Sequence, residues 1–434
     1  MRDILIAVVV FGSIPFILRR PWLGIILWTW IGFMNPHRLG WGFMYDMAVG
    51  MLAALLTLVA LLVSREPKRI PWTRESILLA AFVLWMTTTT FFAMYPADAW
   101  YQWEKVVKIQ LMIFVAMMLI TNRERLHALV WTIAVSIGFY GVKGGYFTIV
   151  HGGVHRVYGP SGSFIEGNNE MGLALAMTIP LMYYLYRESK RKYVRWGLMA
   201  AMMLTALAAF GTHSRGALLG MAAMGVMLWW KSRQKFFMAF VVLAGASMIF
   251  LFMPQEWFDR MVTIKSYEQD GSAVGRLHAW AYGLSMAQSR FFGGGFESFT
   301  STDAHSIYFE VLGEHGFVGL GLFLAIGVFS WMAATRIRRA AEKMPDMDWM
   351  ATLARMVQVS MVAYATAGAF LGMAYYDFAY NLVLIIVVCE TILAARKSQP
   401  VSSVPGQPKS PQPIVTAAAR TAPRRSERDV SVNA

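Results

Sequence analysis

The sequence predicts an all-α, polytopic integral membrane protein of about twelve transmembrane helices, thirteen if two closely spaced runs at the start cross separately. Three observations predict it. The chain is 57% hydrophobic and 14% aromatic over 434 residues, with a mean hydropathy of +0.48, more apolar surface than one water-soluble core takes in. Its apolar residues come in runs near the roughly 20 residues that a bilayer's hydrocarbon layer demands, where helices satisfy their own backbone groups. Its basic residues sit in short clusters between those runs, as orienting loops do.

In chain order the apolar runs fall near 4–18, 22–34, 47–63, 76–93, 106–120, 126–150, 169–186, 196–211, 215–230, 235–252, 307–334, 352–374 and 378–395. The first follows Arg2 and has the look of a secretory leader, but no small-residue cleavage site precedes "RRPW", so it is expected to be retained. Only "RRP" separates the first two, which form one broken or re-entrant unit or two spans. Orientation follows from the loops. Those near 64–75, 121–125, 187–195, 231–235 and 336–355 carry 19 Lys and Arg, and the alternate ones carry 7, so the richer set is expected in the cytoplasm. The long segment from Met253 to Ala304 then lies on the outer side, with "GTHSRG" at 211–216 and "HGGVHRVYGPSGSFIEGNNE" at 151–170. Beyond Arg396 the composition turns to Pro, Ser, Ala and Arg, too poor in large apolar residues to offset the entropy of folding. Residues 397–434 are expected to be a disordered cytoplasmic tail, whose Arg420, Arg424, Arg425 and Arg428 touch anionic head groups or are simply solvated.

The net charge of +14 is spread over those clusters instead of forming one basic stripe, which argues against a nucleic-acid partner. A single cysteine, Cys389, excludes a disulfide framework and a thiolate metal site.

Nearly everything able to do chemistry is predicted on the outer side. Arg215 opens a span that is otherwise apolar, a costly place for a cation unless it snorkels to the interface or meets an anion or a water-filled cavity. A helix N-terminus already carries partial positive charge, so an anion bound there would use both. Arg276 lies on a helix-like segment of the large loop, ahead of Gly293–Gly295, which lacks the lysine and context of a phosphate loop and is read as a backbone turn. In "DAHSIYFEVLGEHGFVGLG" helical spacing puts His305, Tyr308, Leu312 and Gly316 on one stripe, with Glu310 and Glu314 beside it and small residues that admit a neighbouring helix. His305 is then either a helix-end anchor or a base able to take a hydroxyl proton near neutral pH. The Asp-x-Asp of Asp346 and Asp348 falls in a cytoplasmic loop and is read as solvated charge. His151, His155, His213 and His278 lack metal-ligand spacing, so no metal and no cofactor are expected.

The run of His305, Ser306, Phe309, Leu312, Glu314, Gly316 and "GLGLF" resembles the signature of the O-antigen ligase and polymerase superfamily. "THSRGALLG" looks like its Ser-Arg-Gly element, and "RVYGPSGSFIEGNNEMGLALAMTIPL" is similar to its Arg, Gly and Asn-rich outer loop. With "FFGGGFESF" these stand in the superfamily's order over residues about 156 to 321. The N-terminal "LRRPWLGIILWTWIGFMNPHRLGWGFMYD" resembles the exosortase-A-associated O-glycosylation ligase branch. The resemblance implies a metal-independent glycosyltransferase of the bacterial inner membrane. It would move a glycan from undecaprenyl diphosphate to an acceptor hydroxyl on a lipid, polysaccharide or protein at the periplasmic face. It carries the essential histidine onto His305 and the diphosphate-binding arginines onto Arg215 and Arg276, and it makes Arg156 a substrate-binding residue. Ser306 stands where the ligase pattern often has Asn. The expected division is 1–150 as N-terminal membrane helices, 151–396 as the catalytic membrane region with its large periplasmic loop 253–304, and 397–434 as tail. A polymerase of the same superfamily has the same parts. A lipid-linked sugar flippase would also need buried arginines, but would scatter them through the membrane's middle and often repeat its halves.

Overall fold

The computed structural model describes residues 1–231, 236, 247, 253–262, 271–299 and 303–398. Among them the regular structure is helical: α1 (Arg2–Gly12), α2 (Ile14–Arg19), α3 (Trp22–Met34), α4 (Val49–Val63), α5 (Arg74–Phe91), α6 (Pro96–Leu119), α7 (Arg123–Val150), α8 (Asn168–Glu188), α9 (Lys192–Gly211), α10 (Arg215–Lys231), α11 (Gln255–Val262), α12 (Gly271–Ser289), α13 (Ile307–Ala341), α14 (Asp348–Ala367) and α15 (Asp377–Ser398). Short 3-10 turns follow α3 and α14, at Pro36–Leu39 and Gly368–Phe370. Met1–Ala394 make one compact unit. The apolar run at 235–252, apart from residues 236 and 247, and the tail beyond Ser398 with its four arginines lie outside the described residues.

The helical class holds, but the expected twelve or thirteen spans do not. Among the described residues four helices are long and apolar enough to cross a bilayer: Arg123–Val150, Lys192–Gly211, Ile307–Ala341 and Asp377–Ser398. Three further apolar helices are shorter, Trp22–Met34, Val49–Val63 and Arg215–Trp230. The reasons are local. The first apolar run breaks at Ser13 into helices of 11 and 6 residues. The 13 residues of α3 and 15 of α4 rise only about 20 Å at 1.5 Å per residue, against roughly 30 Å of hydrocarbon. Charged Asp98, Glu104, Lys105 and Lys108 occupy α6, while α8 and α14 mix their apolar residues with Asn, Glu, Gln and Arg and bury them against other helices. Apolar runs mark packing between helices as well as contact with lipid.

The most enclosed pair, α8 and α14, lie against each other, with α7 and α9 beside α8, and α10 and α13 beside α14. Pro180 inside α8 removes one N–H from the ladder and crowds the turn before it. Ser360 of α14 donates its hydroxyl to the Met177 carbonyl in that turn at 2.7 Å. Gln358 of α14 donates to the Trp331 carbonyl and the Thr335 hydroxyl of α13 at 3.1 and 2.7 Å.

The segment expected as a long outer loop is folded where it is described. Its helix α12 packs along α13, and Gly313 of α13 comes so close that a methyl there would stand 3.2 Å from the Gly283 Cα. Then α13 itself breaks at Gly316, where φ is 66° and ψ −171°. A break frees carbonyls of the preceding turn, and in an apolar setting each needs a new donor. Gly294 N donates to Gly313 O at 2.8 Å, Gly295 N to Glu314 O at 2.9 Å, and Trp85 Nε1 to His315 O at 2.8 Å. The triplet Gly293–Gly295 is therefore a turn, as its sequence suggests, and also the partner of a broken helix. Gly293 has φ 71°, and a Cβ there would stand 2.6 Å from Glu314 O. Gly293→Ala is expected to cost about 1–3 kcal/mol from the left-handed backbone alone, with the clash in addition. Gly321→Ala meets nothing within 4 Å and should be neutral. Thermal unfolding of the two variants in detergent would show equal midpoints if the turn were loosely docked.

Candidate functional site

Two of the predicted motifs come together at the first turns of α8. The turn between α9 and α10 is held from several sides. His213 takes a left-handed φ of 56° and its Nε2 lies 2.8 Å from Gly153 O. Ser214 Oγ accepts from Ala217 N at 3.2 Å, a cap for the orphan donors of α10. Asn168, the first residue of α8, donates from Nδ2 to Thr212 O at 2.8 Å. A Cβ on Gly172 would stand 2.8 Å from Thr212 Oγ1 and 2.7 Å from the Ala217 Cβ, so only glycine lets α8 approach this closely. Arg215 is thus fixed as the first residue of α10, partly buried.

His305 stands just outside α13, whose N-cap is Ser306. Its φ is 49°, a conformation histidine tolerates better than most residues. The cause is two residues upstream: Asp303 Oδ1 accepts from His305 N at 3.2 Å, while Oδ2 lies 3.2 Å from His305 Nδ1. One carboxylate thereby fixes both backbone and ring, and the half-exposed imidazole keeps its other nitrogen, Nε2, for a reacting group. Glu170, half a turn after Asn168, lies within electrostatic range of both. Burial pushes its carboxyl up, the Asp303 charge pushes the same way, and His305 opposes them.

A second junction lies where α14 ends. A Cβ on Gly216 would meet Ala367 O at 3.2 Å, one on Gly368 would meet Ile307 Cδ1 at 2.7 Å, and one on Gly372 would meet Asp303 Oδ1 at 2.1 Å. Residues 367–372 therefore touch the starts of α10 and α13 and the carboxylate behind His305. Glu310 and Glu314, expected beside the histidine stripe, turn to backbone and loop instead. Glu310 Oε2 accepts from Ala374 N at 2.9 Å, and Glu314 accepts from Glu297 N at 2.8 Å and from the Tyr375 hydroxyl at 2.5 Å. They clamp the loops around the site.

Arg276 lies in α12 one turn before Trp280, on the same helix face, and is partly buried. Trp280 stacks on Phe309 with ring centroids 5.1 Å apart and meets Phe370 at 6.3 Å, which directs that face toward the starts of α13 and the end of α14. Arg156 is placed elsewhere. It is exposed, and lines a cavity of 260 Å³ that contains no residue of 212–215 or 303–305. Asp346 and Asp348 are exposed. Among the described residues no group of three His, Cys, Asp or Glu side chains is gathered so as to hold a metal ion.

The family described as O-Antigen ligase matches residues 200–324, the stretch that holds Arg215, Arg276 and His305. The chain carries an O-antigen-ligase-like domain. Residues 1–190 match a family of unknown function (DUF5935), so the segment whose wording suggests the exosortase-associated branch gains no branch from its match. Arg156 belongs to that part and not to the ligase-like domain. No curated protein matches the chain. A solved chain from "Structural coordination of polymerization and crosslinking by a peptidoglycan synthase complex" aligns at 16% identity and a TM-score of 0.40, over 75% of this chain and 99% of that one. Sequence reasoning missed Asp303, Glu170 and Asn168. The first had a signal, a carboxylate two residues before the histidine. The other two had none that links them to residues so distant in the chain.

Proposed function

We propose that this multi-pass, membrane-associated protein is a metal-independent glycosyltransferase that moves a glycan from undecaprenyl diphosphate to an acceptor hydroxyl. The excess of basic residues in alternate loops supports a periplasmic face of the inner membrane for the reaction. The observation that carries the reading is the convergence of the start of α10 and the Asp303–His305 pair, both within the ligase-like domain, on residues 367–372, which lie against Gly216 and against the Asp303 carboxylate. Nε2 of His305 takes the acceptor hydroxyl's proton as that oxygen bonds the anomeric carbon. The bond from that carbon to the diphosphate oxygen breaks, and its electron pair leaves with undecaprenyl diphosphate. Arg215, at a helix N-terminus, and Arg276 meet the charge that develops on the leaving group. Asp303 holds the ring in one tautomer and stabilises the imidazolium that forms. The acceptor, whether lipid, polysaccharide or protein of the exosortase-associated kind, is the open half of the reaction.

The test is transfer by purified protein from an undecaprenyl-diphosphate oligosaccharide to a supplied hydroxyl acceptor in excess chelator. Transfer is expected. Its absence, or its dependence on added Mg²⁺ or Mn²⁺, would reject this assignment. Asp303→Asn is expected to lower kcat by about tenfold or more with KM little changed, since the carboxylate acts on the ring and not on substrate. Asp303→Glu should recover part of it. Equal kcat in the asparagine variant would leave Asp303 only a backbone role.

A further inference from the structure

We propose that the N-terminal 190 residues hold a second binding site, for a sugar ring bearing a carboxylate, in the cavity between α7 and the loop that follows it. The inference rests on the glycosyltransferase reading and names the class of glycan involved. The 260 Å³ cavity is lined by Lys143 and Arg156, by the rings of Tyr140, Phe147 and Tyr158, and by backbone at Gly144. Neither Lys143 nor Arg156 makes an ion pair or side-chain hydrogen bond to any described residue. Lys143 stands on an exposed face of α7, two turns before the helix ends at Val150, and reaches the cavity from one of the four helices apolar enough to span a bilayer. Glu166, the acid at the foot of the same loop, is committed to Gly162 N at 2.8 Å.

The walls favour a sugar. The exposed ring of Tyr158, with Phe147 and Tyr140 behind it in the wall, offers apolar surface for a pyranose, and the two cations offer charge-assisted bonds for one anionic group. Gly144 makes room, because a Cβ there would stand 2.8 Å from Val157 Cγ1 and push the loop off the helix. The cavity also adjoins the transfer site without sharing a residue with it: Val157 N donates to Gly211 O at 2.9 Å, at the turn that leads to Arg215. An acidic residue of the glycan or of the acceptor bound here would set which saccharides are used.

The test measures binding of two disaccharides to the full chain in phosphatidylcholine nanodiscs: glucuronosyl-glucose, and cellobiose, which differs in having a hydroxymethyl in place of the carboxylate. The acid is expected to bind about tenfold tighter or more, with the preference weakened by salt. Lys143→Gln and Arg156→Gln should each reduce the preference, the double variant should erase it, and Arg215→Gln should keep it. Equal binding of both probes, or a preference surviving the double substitution, would overturn the proposal. So would loss of the preference in Arg215→Gln, which would move the acid to the diphosphate centre. At one fixed ionic strength, loss in phosphatidylglycerol nanodiscs would assign the cavity to a lipid head group, and loss on exchanging chloride for inorganic phosphate would assign it to phosphate; both reject the sugar. Wild-type protein that transfers glycan without preferring the acid fails this inference alone. Protein that prefers the acid and transfers nothing fails the glycosyltransferase reading alone.

Discussion

Replacing His305 by alanine is expected to yield a folded, membrane-inserted protein whose transfer rate falls about 10²- to 10⁴-fold, the usual worth of a general base. The fold should survive because α13 is started by Ser306, whose Oγ accepts from Tyr308 N at 3.3 Å, and not by the histidine. Alanine is strained at φ 49°, so His305→Asn is the companion variant: asparagine tolerates left-handed backbone and cannot take the proton. Both variants should be inactive, and the asparagine one should unfold at the wild-type temperature. Normal transfer by either would return His305 to the role of a helix-end anchor.

Arg215→Lys keeps the charge and is expected to lose about 10²-fold in rate, with Arg215→Ala losing more. Lysine is a point charge without the planar fork that grips two phosphate oxygens. Ser214 caps α10 and Asn168 holds the Thr212 carbonyl, contacts that both variants keep. Transfer assayed at matched expression decides between the two roles weighed for this residue. A lysine variant close to wild type would mean that Arg215 only reaches for the interface.

The helical class was legible because an apolar composition arrives in long runs whose backbone groups helices satisfy, and the outer motifs were legible as short patterns. The spans were not. Hydropathy marks where apolar residues are, yet it shows neither that the first run breaks at Ser13 nor that α3 and α4 stop after 13 and 15 residues. Helices such as α8 and α14 are apolar because other helices surround them. At the site, helical spacing put His305 on one stripe with Tyr308. Asp303 instead holds His305 in a left-handed turn before the helix, and the helix itself begins at Ile307. Arg276 and Arg215 stand in the ligase-like domain as their motifs imply, whereas Arg156 lines a cavity of its own. That separation depends on how the loop after α7 folds back on Gly144, which no local pattern reveals.

The break at Gly316 makes three distant stretches heritable only together. Carbonyls of residues 313–315 are matched by amides of the glycine triplet and by the indole of Trp85, and Met94 N in turn donates to Gly294 O. Crossing this chain with a relative between α12 and α13 would pair one parent's broken helix with the other's turn and strand several backbone groups in an apolar interior. Crossovers ahead of α5 or beyond Gly319 leave that set intact. Shuffled chimeras should therefore yield folded protein at those seams and precipitate at the seams between them.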